Sequence, residues 1–143
     1  MESWRKVWRD GLAPQMSTSS LRALSQGLAR NDARLVQGAT SVPPPVEHVL
    51  DWPIEGACVV GYGAWQAGAV ATVGELDALF AESCLETDRR LGEPAAVRYF
   101  LNWYDDVPRD EMRRELLAEI QRELARRDRG APPRRRRAAV AAA

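Results

Sequence analysis

The feature that most constrains the fold is the apolar stretch Glu93–Tyr104, which reads EPAAVRYFLNWY. Placed on a helix of about 3.6 residues per turn, its apolar side chains cover well over a third of the circumference. Only Arg98 and Asn102, one turn apart, form a polar line. Proline is favoured in the first turn of a helix, so Pro94 predicts a helix start. A helix this apolar needs neighbours on most sides, which predicts a core of several helices.

The length and composition of the chain fit one helical domain. A chain of 143 residues is long enough to bury a core without metals or disulfides. The composition is 45% hydrophobic and 28% charged, which is typical of a globular protein. We predict an all-α fold: a compact single-domain bundle of five to six helices over residues 1–129.

Helix boundaries are indicated by capping residues. Ser17 or Thr18 caps a helix with an apolar leucine stripe. The capping box Thr72-x-x-Glu75 opens a second helix, which runs to Gly92. Asp105, Asp106 and Pro108 precede a third, amphipathic helix that ends near Asp128.

A strip of small residues marks another predicted helix, from Trp52-Pro53 to about Gln66. Its members recur at helical spacing and are Ala57, Gly61, Ala64 and Gly68. Small side chains let a second helix backbone approach closely, and Glu93–Tyr104 is the expected partner. A strand over residues 57–62 is the alternative, because glycine weakens a helix by up to about 1 kcal/mol.

Two segments are predicted to lie outside the helices. Residues 38–45, GATSVPPP, form a Pro-rich internal linker, since three consecutive prolines fit neither a helix interior nor a central strand. From Gly130 the chain reads GAPPRRRRAAVAAA, without an apolar period that could pack on a core. We predict a flexible Arg/Ala-rich tail over residues 130–143.

The charge balance and the cysteines suggest a soluble cytoplasmic protein. Lys plus Arg and Asp plus Glu number 20 each, so no global field attracts nucleic acid or anionic lipid. The uncharged run 56–71 lacks the roughly 20 strongly apolar residues of a membrane span. Cys58 and Cys84 show no disulfide or CxxC pattern, as expected in a reducing cytoplasm. Lys6 is the only lysine and alanine is abundant, which indicates a GC-rich, bacterial-like coding sequence.

No motif supports a recognisable catalytic centre. His48, Asp51 and Cys58 are the residue types of a nucleophile, a base and an orienting group. A single cysteine among apolar residues is more often a small buried hydrophobe. His48 with the two cysteines lacks the paired ligand spacing of zinc sites. We therefore predict no catalytic residue, no metal site and no cofactor.

A polar group at and after the apolar stretch is the candidate pocket or interaction site. Arg98 and Asn102 interrupt the apolar helix, and they either line a pocket or pair structurally with neighbouring helices. Asp105 and Asp106 suggest a cation site or paired carboxylates, although acids are also favoured before a helix N-terminus. The candidate residues are Arg98, Asn102, Trp103, Asp105 and Asp106.

Three functions remain open at this point. The leading hypothesis is a small helical protein-binding or adaptor module that acts on a protein partner. The alternative is a small enzyme or ligand-binding protein with a polar pocket around Arg98, Asn102, Asp105 and Asp106. A weaker alternative is nucleic-acid contact through Arg134–Arg137, where four charges suffice only for weak binding.

Overall fold

The structure, a computed structural model, describes residues 3–130 and confirms the all-α prediction. The described residues form six α-helices and one antiparallel pair of two-residue strands, β1 (Ser41–Val42) and β2 (Gly56–Ala57). The predicted tail lies outside the described residues, apart from Gly130. The helices are α1 (Trp4–Val7), α2 (Thr18–Arg30), α3 (Val59–Gln66), α4 (Val73–Leu91), α5 (Arg98–Asp106) and α6 (Arg109–Asp128).

The chain divides into two compact units. The central unit is the continuous segment 16–82, and the terminal unit combines residues 3–15 with residues 83–130. Helix α4 begins in the central unit and ends in the terminal unit. None of the helices within residues 3–130 has both the length and the hydropathy needed to cross a membrane.

The central unit is built on close packing of α2 against α3. Leu21, Leu24 and Leu28 of α2 are fully buried, as the leucine stripe predicts. A Cβ on Gly63 would lie 2.4 Å from the carbonyl oxygen of Ser20, so the two backbones nearly touch.

Gly63 is not a member of the predicted small-residue strip. Of that strip, Ala57 lies in β2, Gly68 lies beyond α3, and a Cβ on Gly61 would meet the Leu76 side chain of α4. The close helix contact therefore lies at a different residue than predicted, and the helix that approaches α3 there is α2 rather than Glu93–Tyr104.

A polar cluster ties the end of α2 to α3. Asn31 ends α2 in the left-handed conformation, which turns the chain and places Asp32 beside α3. Tyr62 donates a 2.6 Å hydrogen bond to Asp32, and the guanidinium of Arg34 donates to the same carboxylate at 2.8 Å. The Arg34 hydrogen bond holds the pKa of Asp32 well below its usual value. Asp32 therefore stays ionised beside a buried tyrosine.

The segment predicted as a Pro-rich linker is an ordered connection inside the central unit. This segment contains β1, which pairs with β2, so that Ser41 faces Ala57 and Val42 faces Gly56. The amide of Cys58 adds a hydrogen bond to the carbonyl of Thr40. The prolines follow β1, where their missing N–H groups cost no sheet hydrogen bond.

Two helices begin later than their prolines predict. Helix α3 begins at Val59 rather than at Pro53, after the short strand β2. The question of helix or strand over residues 57–62 is thus resolved as a strand end followed by a helix. Helix α5 begins at Arg98 rather than at Pro94, because Ala95 takes a left-handed φ of 56°. The carboxylate of Asp88 accepts the amides of Ala95 and Val97 and fixes this turn.

The core of the terminal unit is aromatic. Trp8, Phe100 and Tyr104 are fully buried, and the Trp8 and Phe100 rings stack with centroids 5.6 Å apart. Trp4 stacks on Trp103 at 3.6 Å. The burial of Phe100 and Tyr104 confirms that the apolar face of α5 belongs to a core. Arg98 and Asn102, for which a pocket or a structural pairing was expected, are exposed.

A buried carboxylate ties α6 to the N-terminal segment of the terminal unit. The side chain of Glu119 is only 7% exposed, and it accepts two hydrogen bonds from the Arg9 guanidinium at 2.7 and 2.8 Å. These hydrogen bonds lower the pKa of Glu119 below its usual value. A buried carboxylate needs such a partner, so this pair holds residues separated by 110 positions in sequence.

Replacing Glu119 with glutamine should destabilise the protein in a pH-dependent way. At pH 7 the loss of charge-assisted hydrogen bonds costs about 1.5–3 kcal/mol. Because the folded-state pKa is lowered, the stability that Glu119 contributes is present above about pH 4.3 and is lost as pH falls further. The stability difference between wild type and variant should therefore narrow below pH 4 in urea titrations. Asp110→Asn, at a side chain 91% exposed, is the control and should show no such narrowing.

Candidate functional site

The candidate site is a segment of the central unit that exposes an unusual share of large apolar side chains. Five large apolar residues of the described chain are at least 37% exposed, and four of them fall within residues 42–52. Single exposed apolar residues are ordinary, but a concentration of them is typical of interaction sites. The four are Val42 (38%), Val46 (47%), Leu50 (37%) and Trp52 (51%). We call residues 42–52 the apolar segment.

The backbone of the apolar segment is held in place despite its exposed side chains. A short 3₁₀-helix, Glu47–Val49, follows the prolines, and Val49 is buried as its anchor. The carbonyls of Leu50 and Trp52 accept the amides of Gly74 and Val73 at the start of α4. A binding surface that is already ordered loses less conformational entropy when a partner binds.

Trp52 is the largest exposed side chain in the segment. Its indole ring makes an edge-to-face contact with His48 at a centroid distance of 6.3 Å. Tryptophan combines a large apolar area with only two side-chain torsions, and it is enriched among residues that dominate binding energy. A half-exposed tryptophan on a fixed backbone is therefore the strongest candidate for a binding residue.

The surroundings of the apolar segment are acidic. Glu47, Asp51 and Glu55 are exposed and lie in sequence between or beside the apolar side chains. Between Arg34 and Arg89 the sequence contains eight Asp and Glu residues and neither Lys nor Arg. Six of these eight, all except Glu86 and Asp88, belong to the central unit, so this stretch of it carries a negative formal charge.

The predicted site residues Arg98 and Asn102 lie on the exposed side of α5. The Arg98 guanidinium donates to the carbonyls of Pro94 and Ala95 and to the hydroxyl of Tyr99. It also lies over the Tyr99 ring, 4.4 Å from its centroid. Arg98 therefore stabilises the turn that precedes its own helix, and Asn102 is exposed one turn further on.

The other predicted site residues occupy different environments. Trp103 is half-buried in its stack with Trp4, whereas Asp105 and Asp106 are exposed at the end of α5. The two carboxylates occupy the last turn of α5 and do not cap α6, which begins at Arg109. Within residues 3–130, no group of three or more His, Cys, Asp or Glu side chains is arranged to hold a metal ion.

The terminal unit has a cleft of about 400 Å³, and none of the predicted site residues lines it. It is bounded by the N-terminal helix and by Arg122 of α6, and Arg9 in its wall is already paired with Glu119. The polar residues expected around α5 do not contribute to it. Its lining residues are Ser3, Arg5, Lys6, Arg9, Asp10 and Arg122.

The apolar segment was not predicted as a site from the sequence. Val46–Leu50 has the appearance of a turn, and Trp52-Pro53 has that of a helix start, so neither signals an exposed surface. The available signal was the position of Val46, Leu50 and Trp52 beside a triple proline, in a stretch too irregular to bury them on one face. Their exposure depends on tertiary packing, which spacing alone does not specify.

Among protein-family models, curated proteins and solved structures, none matches this chain.

Proposed function

We propose that this chain is a small protein-binding module and that the apolar segment is its interaction surface. The observation that carries the proposal is the concentration of exposed apolar side chains, led by Trp52, on a backbone fixed by hydrogen bonds to α4. Water is displaced from such side chains when a partner covers them, which favours association. The ordered backbone keeps the entropic cost low.

The geometry around α5 favours binding over catalysis or small-molecule recognition. Arg98 is occupied by its own turn, and Asn102, Asp105 and Asp106 are exposed rather than drawn into an enclosed pocket. A small-molecule site requires a concave, largely apolar cavity with a few convergent polar groups. These side chains are better suited to a solvated helix surface.

We also propose that the protein works in a reducing compartment such as the cytoplasm. Cys58, which is buried in the central unit, and Cys84, which is half-buried, form no disulfide bond within the described residues. Proteins of oxidising compartments usually pair their cysteines. The two thiols therefore support an intracellular protein partner.

A photo-crosslinking experiment tests the binding surface. The full chain is produced in its native host with a photo-reactive phenylalanine analogue at Leu50, and a second version carries it at Leu85 as the matched control. Leu85 is 56% exposed but lies outside the apolar segment. We expect a specific protein adduct from position 50 and none from position 85.

Trp52→Ala in the position-50 protein should reduce the adduct yield about 30-fold, because truncating a hot-spot residue typically costs 2 kcal/mol or more. Circular dichroism and the melting temperature establish that the variant is folded. Equal adducts from the two positions, or an adduct that is insensitive to Trp52→Ala, would contradict the proposed surface.

A further inference from the structure

We propose that the partner bound by the apolar segment is a basic peptide segment of another protein, in which Lys or Arg residues flank apolar side chains. This inference rests on the proposed function, since it specifies the chemistry of what covers the same surface. Its first support is charge complementarity. The exposed carboxylates Glu47, Asp51 and Glu55 alternate with the exposed apolar residues Val46, Leu50 and Trp52.

The second support is that these three carboxylates have no partner among the residues that the structure describes. Within residues 3–130 the side chains of Glu47, Asp51 and Glu55 make no hydrogen bond or ion pair. Two of the other four carboxylates of the central unit do: Asp32 binds Arg34 and Tyr62, and Glu75 accepts from the amides of Ala71 and Thr72. The acids around the apolar segment thus remain available to cations of a partner.

The third support is the absence of any compensating cation in the surrounding sequence. The three basic residues of the central unit are Arg22, Arg30 and Arg34, all of which precede the apolar segment. Arg30 and Arg34 lie within ion-pair distance of Asp32. Charged groups of one sign attract the opposite charge and repel their own, so acidic proteins, nucleic acids and anionic membranes are disfavoured at this surface.

The apolar side chains and the carboxylates of this surface have different roles in binding. The apolar side chains supply the contact area, and the carboxylates select the partner and speed the encounter. Exposed ion pairs contribute little each and are screened by salt, so they adjust specificity more than they anchor the complex. The expected ligand therefore has both features, and neither a purely basic nor a purely apolar peptide should bind as well.

Selection from a phage-displayed random library of 12-residue peptides tests the inference. The immobilised full chain is the target, and the full chain with Trp52→Ala is used for counter-selection, so that only peptides requiring the apolar segment are retained. We expect the retained sequences to carry net positive charge together with apolar residues. Retention of neutral or acidic sequences, or of no sequence, would overturn the basic-partner inference.

Affinity measurements on a synthetic copy of the most enriched peptide provide the quantitative test. Neutralising the three carboxylates in Glu47→Gln/Asp51→Asn/Glu55→Gln should weaken binding about tenfold at low salt, the sum of three exposed ion pairs. The matched control Asp106→Asn/Asp110→Asn/Glu111→Gln removes three exposed carboxylates of the terminal unit and should leave the affinity unchanged. Equal affinities for wild type and the first variant would overturn the inference.

The outcomes separate this inference from the proposed function. If a Trp52-dependent adduct forms at position 50 but the crosslinked segment is neutral or acidic, the binding surface stands and the basic partner is wrong. If no Trp52-dependent adduct forms, the proposed function itself fails. A synthetic peptide of residues 131–143, which contains Arg134–Arg137, tests whether a segment of this chain itself binds the apolar segment. If that peptide binds more tightly than every selected peptide, the ligand is a segment of this chain, and the inference that it belongs to another protein is overturned.

Discussion

Gly63→Ala should destabilise the protein by about 3 kcal/mol, at the upper end of the range for overpacking in a core. The new Cβ would lie 2.4 Å from the carbonyl oxygen of Ser20 and 3.0 Å from its carbonyl carbon. Backbone atoms of a packed helix cannot rotate away as a side chain can. Accommodating the methyl group requires α2 and α3 to separate, which opens the core around Leu21 and Leu24.

Gly61→Ala is the matched control, because it adds the same methyl group in the same helix. Here the Cβ would lie 2.9 Å from the Cγ of Leu76, so the buried Leu76 side chain must repack but no helix backbone has to move. Both substitutions gain up to about 1 kcal/mol of helix propensity. We expect Gly61→Ala to stay within about 1 kcal/mol of wild type in urea unfolding. Equal stabilities of the two variants would show that α2 and α3 are not in backbone contact.

Asp32→Ala should cost about 2–3 kcal/mol, because it removes charge-assisted hydrogen bonds and leaves a buried group unsatisfied. Tyr62 is fully buried, and the structure gives its hydroxyl one acceptor, the Asp32 carboxylate at 2.6 Å. The same carboxylate accepts the backbone amide of Arg34 at 3.0 Å and so fixes the turn after α2. Its loss affects both the turn and the tyrosine.

A double-mutant cycle with Tyr62→Phe isolates the buried part of this effect. Once the tyrosine hydroxyl is gone, Asp32→Ala no longer leaves it without an acceptor, so the double variant should be more stable than the sum of the two single effects. We expect a coupling of at least about 1 kcal/mol from chemical denaturation. Strictly additive effects would contradict a direct hydrogen bond between the two side chains.

The helices that were predicted well are those whose boundaries are set by neighbouring residues. Ser17 caps α2 by accepting the amide of Ser20, and Thr72 with Glu75 forms the predicted capping box before α4. Such interactions extend over only three residues, and they are therefore visible in the sequence. The long amphipathic patterns of α2, α4 and α6 then set the helix type.

The helix starts that were predicted incorrectly depend on more distant groups. At Pro94 the local signal favours a helix, but the Asp88 carboxylate accepts amides seven and nine residues later and holds a turn there. At Pro53 the chain instead forms a bridge with Thr72, so that helix α3 begins only at Val59. A proline is compatible with either conformation, and tertiary contacts decide between them.

The apolar segment, residues 42–52, was the least predictable part of the protein. Hydrophobic residues are expected inside, and the sequence gives no means of knowing that Val46, Leu50 and Trp52 remain outside while Val49 and Ile54 are buried. The alternation follows from the 3₁₀ turn and the backbone hydrogen bonds to α4. By contrast, the polar line of α5 follows directly from helical periodicity, although its role in fixing a local turn does not.

The division of the terminal unit between the two ends of the chain determines the order in which a nascent chain can mature. A ribosome synthesises all of residues 16–82 before it makes α5 or α6, so the α2–α3 pair can form while synthesis continues. Trp8 and Arg9 must wait for Phe100 and Glu119, which are made about ninety or more residues later. Until then, Trp8 lacks its packing partner and is exposed to chaperones and proteases. A stop codon or a pause before α5 would leave Trp8 and Arg9 without both partners, and one between α5 and α6 would leave Arg9 without Glu119.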